Sequence, residues 1–356
     1  MKIIIATGGT GGHVFPALKV GGELKRQGHN VLFVGALGQW QKKIEEAGFV
    51  TQQLCAKGVS RTSIFAFLAS LILMAKSFFD SLGIVRRFRP DSVVGFGGYG
   101  AFAVVLAAAL LRYPTMIHEQ NVVPGRANAI LAKFVRKITL SFAESEEYFK
   151  SSKTILTGCP CHVDTQLVDQ KSVLARFGLT AQRQTVLVIG GSQGSHRINA
   201  EFLPAIGLLS QTIPLQVIHI SGKQDYQDLK SKYEAMGIPF ALYSFLEGIN
   251  DAYKVADVVI SRAGALTTTE IAMAGIPSIL IPYPYAGGHQ KENAAVLGKA
   301  GAAQVIEEKN LTSGRLAEAM KEILFNTTTA KDLKGRLQGI RFPDAAERLA
   351  YEAVRI

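Results

Sequence analysis

Three glycine-rich segments have the composition to hold a phosphate group. Thr7-Gly8-Gly9-Thr10-Gly11-Gly12-His13 follows an apolar run and opens a helical pattern whose early Pro16 suits a first turn. Gly95-Phe96-Gly97-Gly98-Tyr99-Gly100 and Gly190-Gly191-Ser192-Gln193-Gly194-Ser195 repeat that arrangement. Main-chain amides at a helix start attract anions, and glycine lets a ligand approach the backbone. A tight turn without ligand explains any one such loop. Several at the carboxyl ends of parallel strands lie where such sheets bind ligands.

Two later stretches add polar side chains. Ser261-Arg262-Ala263-Gly264-Ala265-Leu266-Thr267-Thr268-Thr269-Glu270 runs from a strand into a helix that Gly275-Ile276-Pro277 ends. Its start offers amides and hydroxyls to a pyrophosphate. Glu270, one turn in, is placed either to accept from both ribose hydroxyls or to complement the helix dipole. The segment Pro282-Tyr283-Pro284-Tyr285-Ala286-Gly287-Gly288-His289-Gln290-Lys291-Glu292-Asn293 suits sugar hydroxyls, or is a solvated turn. A dinucleotide oxidoreductase would carry an acid at the end of its second strand, where this chain reads Val31-Leu32-Phe33-Val34-Gly35. A Walker-type G-x-x-x-x-G-K-[ST] loop is also missing.

The elements that must hold these residues alternate between apolar runs and helical periodicity, the pattern of an α/β parallel sheet. Strands are expected at 2–7, 31–35, 92–95, 115–118 and 138–140, and in a second series at 185–189, 215–221, 258–261, 278–282 and 303–306. Two doubly wound, Rossmann-like domains follow, with the join near Gly158-Cys159-Pro160: residues 1–158 and 159–339, a last helix near 344–354 returning to the first. A length of 356 residues and a hydrophobic fraction of 48% suit two cores. Cys55, Cys159 and Cys161 build neither a disulfide framework nor a usual zinc site. The N-terminus opens as a strand, so a cytosolic protein is expected.

The net charge of +11 predicts attraction to polyanions such as phosphorylated substrates or an anionic membrane surface. The run from Ile64 to Ala75 is apolar almost all round and shorter than the roughly 20 residues of a spanning helix. Arg61, Lys76, Arg86, Arg87 and Arg89 flank it against the single acid Asp80. It reads as an interfacial anchor on anionic lipid or as an ordinary core helix.

Taken together, Gly8 to His13 with Pro16, Gly97-Gly98-Tyr99, His118-Glu119-Gln120-Asn121, Gly190 to Gly194, Arg262 to Glu270, and Gln290 with Asn293 closely resemble the MurG family of bacterial peptidoglycan synthesis, over essentially the whole chain. The resemblance implies the GT-B fold and transfer of N-acetylglucosamine from UDP-GlcNAc to lipid I (undecaprenyl-pyrophosphoryl-MurNAc-pentapeptide). The first domain would then hold the acceptor and the second the donor, on the cytoplasmic face of the inner membrane, with no cofactor, metal or nucleic acid. It also implies that Thr10, Gly11 and Gly12 close on donor phosphates and sugar, that Asn121 and Asn128 contact substrate, and that Ser192 binds phosphate. Leu246 would back the uracil through its main chain, Ala265, Leu266, Thr267, Thr268, Thr269 and Glu270 would hold nucleotide, and Gln290 would read the sugar.

The family pattern G-N-P-V-R is replaced by Gly158-Cys159-Pro160-Cys161-His162, which puts a shorter, titratable His162 where an arginine is expected. Inverting chemistry needs a base at the acceptor hydroxyl. His13, at a glycine-loop helix start, is the favoured candidate and Glu119 the alternative. No D-x-D triplet occurs, which argues against a metal-clamped donor. Another GT-B enzyme, such as a diacylglycerol glycosyltransferase or a UDP-sugar epimerase, and a non-catalytic nucleotide-sugar-binding protein are the competing readings.

Overall fold

The computed structural model describes residues 1–55, 64–161, 163, 169–191, 193–285 and 287–356, and for 64–69 and 327 the backbone alone. Arg61, His162 and Ser192 therefore lie outside the described residues. The chain forms two compact units, Met1–Cys161 with Phe342–Ile356, and His162–Arg341.

The first unit is built on β1 (Lys2–Ala6), β2 (Asn30–Gly35), β3 (Val50–Gln53), β4 (Ser92–Gly95), β5 (Thr115–Glu119), β6 (Lys137–Leu140) and β7 (Thr154–Leu156). They form one parallel sheet in the order β3-β2-β1-β4-β5-β6-β7. Ile3, Ile4 and Ile5 are fully buried, as in a parallel strand covered on both faces. Ile3 and Ile5 join Val14, Val20 and Leu24 of helix Gly11–Arg26. Leu349, Ala350 and Ala353 of the terminal helix Ala345–Val354 complete that layer, and Lys137 pairs with Glu352 at 2.5 Å. On the other face Ile4 packs with Val85 of helix Ile64–Phe88 and with Val104 and Val105 of helix Gly98–Leu110.

Helix Ile64–Phe88 buries Ile84 and Val85 near its end, but its middle turns small polar residues inward. It buries Ser70, Ser77 and Ser81 while Ile72 and Phe79 stand 69% and 68% exposed. Ser77 Oγ and Ser81 Oγ donate to the carbonyls of Cys55 and Ser77 at 3.0 and 2.6 Å, so the inward hydroxyls are satisfied. No helix among the described residues is long and apolar enough to cross a membrane.

The second unit carries β8 (Gln184–Ile189), β9 (Leu215–Ile220), β10 (Phe240–Tyr243), β11 (Val258–Ser261), β12 (Ser278–Leu280) and β13 (Gln304–Val305), all parallel, in the order β10-β9-β8-β11-β12-β13. Its core gathers Val186, Val188, Phe202, Val217, Ile260 and Met320.

Each sheet reverses its winding beside its first strand, between β1 and β4 and between β8 and β11. Such a switch point leaves a crevice outside the strand ends. The first two glycine loops leave β1 and β4, the third leaves β8, and 262–264 leaves β11. Neighbouring loops there pack main chain on main chain. A Cβ on Gly98, whose φ is +80°, would lie 2.8 Å from the Gly8 oxygen. One on Gly194, also at +80°, would lie 2.2 Å from the Ser221 oxygen. By contrast, the Cβ positions of Gly9 and Gly191 have nothing within 4 Å among the described residues, which leaves room for a ligand.

Candidate functional site

In the second unit, helix Ala265–Ala274 starts directly after the β11 loop, and its N-cap Gly264 supplies no side-chain cap. The first-turn amides are thus presented to a ligand. The three threonines behave differently. Thr269 Oγ1 donates back to the Ala265 carbonyl at 2.9 Å, and Thr268 Oγ1 is buried without a partner among the described residues. Thr267 turns its hydroxyl toward Gly264, 3.9 Å from where a Cβ would sit. Ala265 is buried, and Leu266 is partly buried.

Glu270 is partly buried, and Tyr253 of helix Asn250–Val255 donates its hydroxyl to Glu270 Oε2 at 3.1 Å. Desolvation raises the Glu270 carboxyl to about 7, against the pull of that hydrogen bond. Gln290, in helix His289–Lys299, accepts from the amides of Ala263 and Tyr283 at 3.1 and 3.0 Å. One carboxamide oxygen therefore fixes the loops after β11 and β12 together, which leaves its NH2 group to offer a ligand. Asn293 Nδ2 donates to the Ala263 carbonyl at 3.2 Å. Arg262 pairs with Glu308, donates to the Ile281 carbonyl at 3.2 Å and lies over the Tyr283 ring. Leu246 is partly buried in the turn after β10, behind the exposed Phe245.

In the first unit His13 stands in the first turn of helix Gly11–Arg26, its Nδ1 3.3 Å from Thr10 Oγ1. Its ring lies against Gly97, where a Cβ would come within 3.2 Å of the imidazole. Gln120 Nε2 donates to the Phe96 carbonyl at 2.9 Å, so the loops after β1, β4 and β5 converge here. Burial lowers the His13 pKa, which the Gly8 carbonyl partly opposes, and the ring is neutral near pH 7. Thr10 is exposed, and Gly11 and Gly12 are partly so.

The structure gives Glu119 a different setting. It is buried and accepts from the Asn121 amide, Asn121 Nδ2, the Gly125 amide and Asn128 Nδ2 at 2.9, 3.3, 3.1 and 2.8 Å. Desolvation raises its pKa, and these donors oppose the rise. Asn128 is itself buried and also donates to the His118 carbonyl at 3.1 Å. His118 is a core residue between Thr139 and Ser141, and burial drives its pKa down to about 3.

Residues 3–140 match the N-terminal domain, and 185–349 the C-terminal domain, of glycosyltransferase family 28. A Halothermothrix orenii protein is 37% identical over 91% of this chain and 90% of its own. One from Bacillus subtilis is 36% identical over 98% of each. Both are named UDP-N-acetylglucosamine–N-acetylmuramyl-(pentapeptide) pyrophosphoryl-undecaprenol N-acetylglucosamine transferase. The crystal structure of Acinetobacter baumannii MurG superposes with a TM-score of 0.79 at 27% identity, covering 100% of this chain and 99% of that one. The chain belongs to the MurG family. A structure of S. aureus MnaA with UDP, covering 99% of this chain and 97% of its own, has a TM-score of 0.73 at 12% identity and shares the fold alone.

Within this MurG-family chain, Tyr253 and Glu308 escaped the sequence reading. Tyr253 reaches Glu270 from a separate helix and Glu308 reaches Arg262 from beyond β13, and neither spacing follows a local rule.

Glu270 makes a linkage prediction. Its folded carboxyl titrates near 7 and an unfolded one near about 4.3. Between those values the native state holds the extra proton, so this group's contribution to stability falls as pH rises. Glu270→Gln removes that dependence. Its melting temperature should gain on the parent's from pH 4.5 to pH 7.5, by the equivalent of about 2–3 kcal/mol at most. A difference that does not change with pH in parallel thermal melts would show that Glu270 ionises as an ordinary surface carboxylate.

Proposed function

We propose that this chain transfers N-acetylglucosamine from UDP-GlcNAc to the C4 hydroxyl of N-acetylmuramic acid in lipid I, giving lipid II. Membership of the MurG family carries the reading, and the two switch-point sites supply chemistry that fits it. In this account the second unit holds the donor. Glu270 accepts from the ribose hydroxyls, Leu246 backs the uracil, and Gln290 offers its NH2 group to sugar hydroxyls. Ala265, Leu266 and Thr267 present the helix start and one hydroxyl to the pyrophosphate, and Thr268 and Thr269 contribute through the backbone. Ser192 and His162 would add phosphate contacts.

The first unit binds the acceptor. The C4 oxygen attacks the anomeric carbon as the bond to the β-phosphate oxygen breaks, UDP leaves and configuration inverts. His13, neutral and beside Thr10, takes the hydroxyl proton. Thr10, Gly11 and Gly12 close on the reacting groups. Glu119, engaged by donors from Asn121, Gly125 and Asn128, shapes the loop that presents Asn121 rather than moving a proton.

Membrane association is peripheral in this reading, on the cytoplasmic face of the inner membrane. Support comes from helix Ile64–Phe88, where Ile72, Lys76 and Phe79 fall at i, i+4 and i+7 on one exposed face. Leu110 is exposed at the end of the helix packed beside it, and Arg86, Arg87 and Arg89 are exposed where helix Ile64–Phe88 ends. Apolar side chains among cations suit an anionic surface.

Two experiments check these readings. With UDP-GlcNAc and lipid I, His13→Ala should lose about 10²–10⁴ in turnover and the acidic limb of the pH–rate profile, while keeping donor affinity. Retained turnover with an unchanged limb would exclude His13 as the base. Ile72→Ser with Phe79→Ser should release the protein from phosphatidylglycerol liposomes without altering its melting curve, and undiminished binding would remove that helix face from the membrane contact.

A further inference from the structure

The chain crosses between the two units a second time at Arg341–Phe342. Each of these consecutive residues lies against a glycine of its own unit, at a place where any Cβ would collide with it. A Cβ on Gly158 would come within 2.3 Å of Phe342 Cβ. One on Gly275 would fall on the Arg341 guanidinium, 1.9 Å from Nη2. Gly275 also ends helix Ala265–Ala274 in the left-handed region at φ +72°, so its missing side chain serves both the turn and the arginine.

Arg341 does more there than fill space. Its Nε donates to the Ala272 carbonyl at 2.9 Å in the last turn of that helix. A guanidinium at a helix C-terminus meets the negative end of the dipole, and here it adds a second donor to a carbonyl that already accepts from the Gly275 amide at 3.1 Å. The helix is only ten residues long, and its other end carries the uncapped N-terminus and, further along, Glu270. A short rigid helix fixed at one end transmits that placement to the other, and hydrogen bonds at the far end weaken steeply with misalignment.

We propose that Arg341 is a positioning residue for the donor site: it seats helix Ala265–Ala274 through Ala272 and the space at Gly275, and so sets where the first-turn amides and Glu270 meet the nucleotide. The proposal rests on the donor reading given above and adds to it a residue that touches no substrate.

The test uses the full chain and calorimetric titration with UDP-GlcNAc, alongside turnover and thermal melts. Arg341→Gln should raise the donor Kd and KM about tenfold, the size of one lost hydrogen bond, while kcat at saturating donor stays within about twofold. Gly275→Ala, which drives the guanidinium out, should give the same split between KM and kcat. Arg341→Lys keeps the charge and one donor, and should recover most of the affinity even if the glutamine variant folds poorly. A lowered melting temperature in Arg341→Gln with an unchanged Kd would reduce Arg341 to a structural cap and overturn the proposal. Failure of the unaltered chain to bind UDP-GlcNAc would instead remove the donor reading beneath it.

Discussion

At the carboxyl end of each sheet, neighbouring loops are packed main chain against main chain, closer than any side chain permits. Gly98 on Gly8 in the first unit and Gly194 on Ser221 in the second are two points of that packing beside β1 and β8. This contact brings the strand-end loops into register and lets both sheets close their crevices on fixed backbone. Every candidate ligand group described above hangs from one of these loops or from the helix that follows it.

The two crevices use this frame differently. In the second unit the polar side chains are spent mostly on one another. Gln290 joins two loops, Arg262 is engaged by Glu308 and Tyr283, and Tyr253 holds one oxygen of Glu270. What remains for a ligand is a set of directed donors and acceptors whose reorganisation has already been completed, which is how electrostatic binding becomes strong in a partly desolvated site. In the first unit Glu119 performs the same internal service, and the neutral imidazole of His13 is left as the group able to accept a proton.

Much of this was legible in the residues. The two parallel-sheet domains followed from apolar runs alternating with helical periodicity, and ten strands could be placed that way. The strands given no bounds beforehand, β3, β7 and β10, all lie at sheet edges, where a strand pairs on one side only and, in β3, Val50-Thr51-Gln52-Gln53 can stay polar. The glycine loops were recognisable as strand-to-helix turns, but composition cannot separate a glycine whose Cβ position is open among the described residues, such as Gly9, from one that admits a neighbouring loop, such as Gly98. The threonine run read as three hydroxyls, and only the fold reveals that Thr268 and Thr269 turn theirs away. Helix Ile64–Phe88 needed its burial pattern, because apolar composition is the same whether Ile72 faces a core or solvent.

The proposed donor reading puts the nucleotide at the switch point between β8 and β11, with its ribose on Glu270 and its pyrophosphate at the start of helix Ala265–Ala274. A crystal structure of the full chain grown with UDP-GlcNAc tests it most directly. The account predicts both ribose hydroxyls within hydrogen-bond distance of the Glu270 carboxylate and phosphate oxygens on the amides that follow Gly264. Uridine density in the first unit, against Gly9 to Gly12, with the Glu270 carboxylate unoccupied, would contradict it.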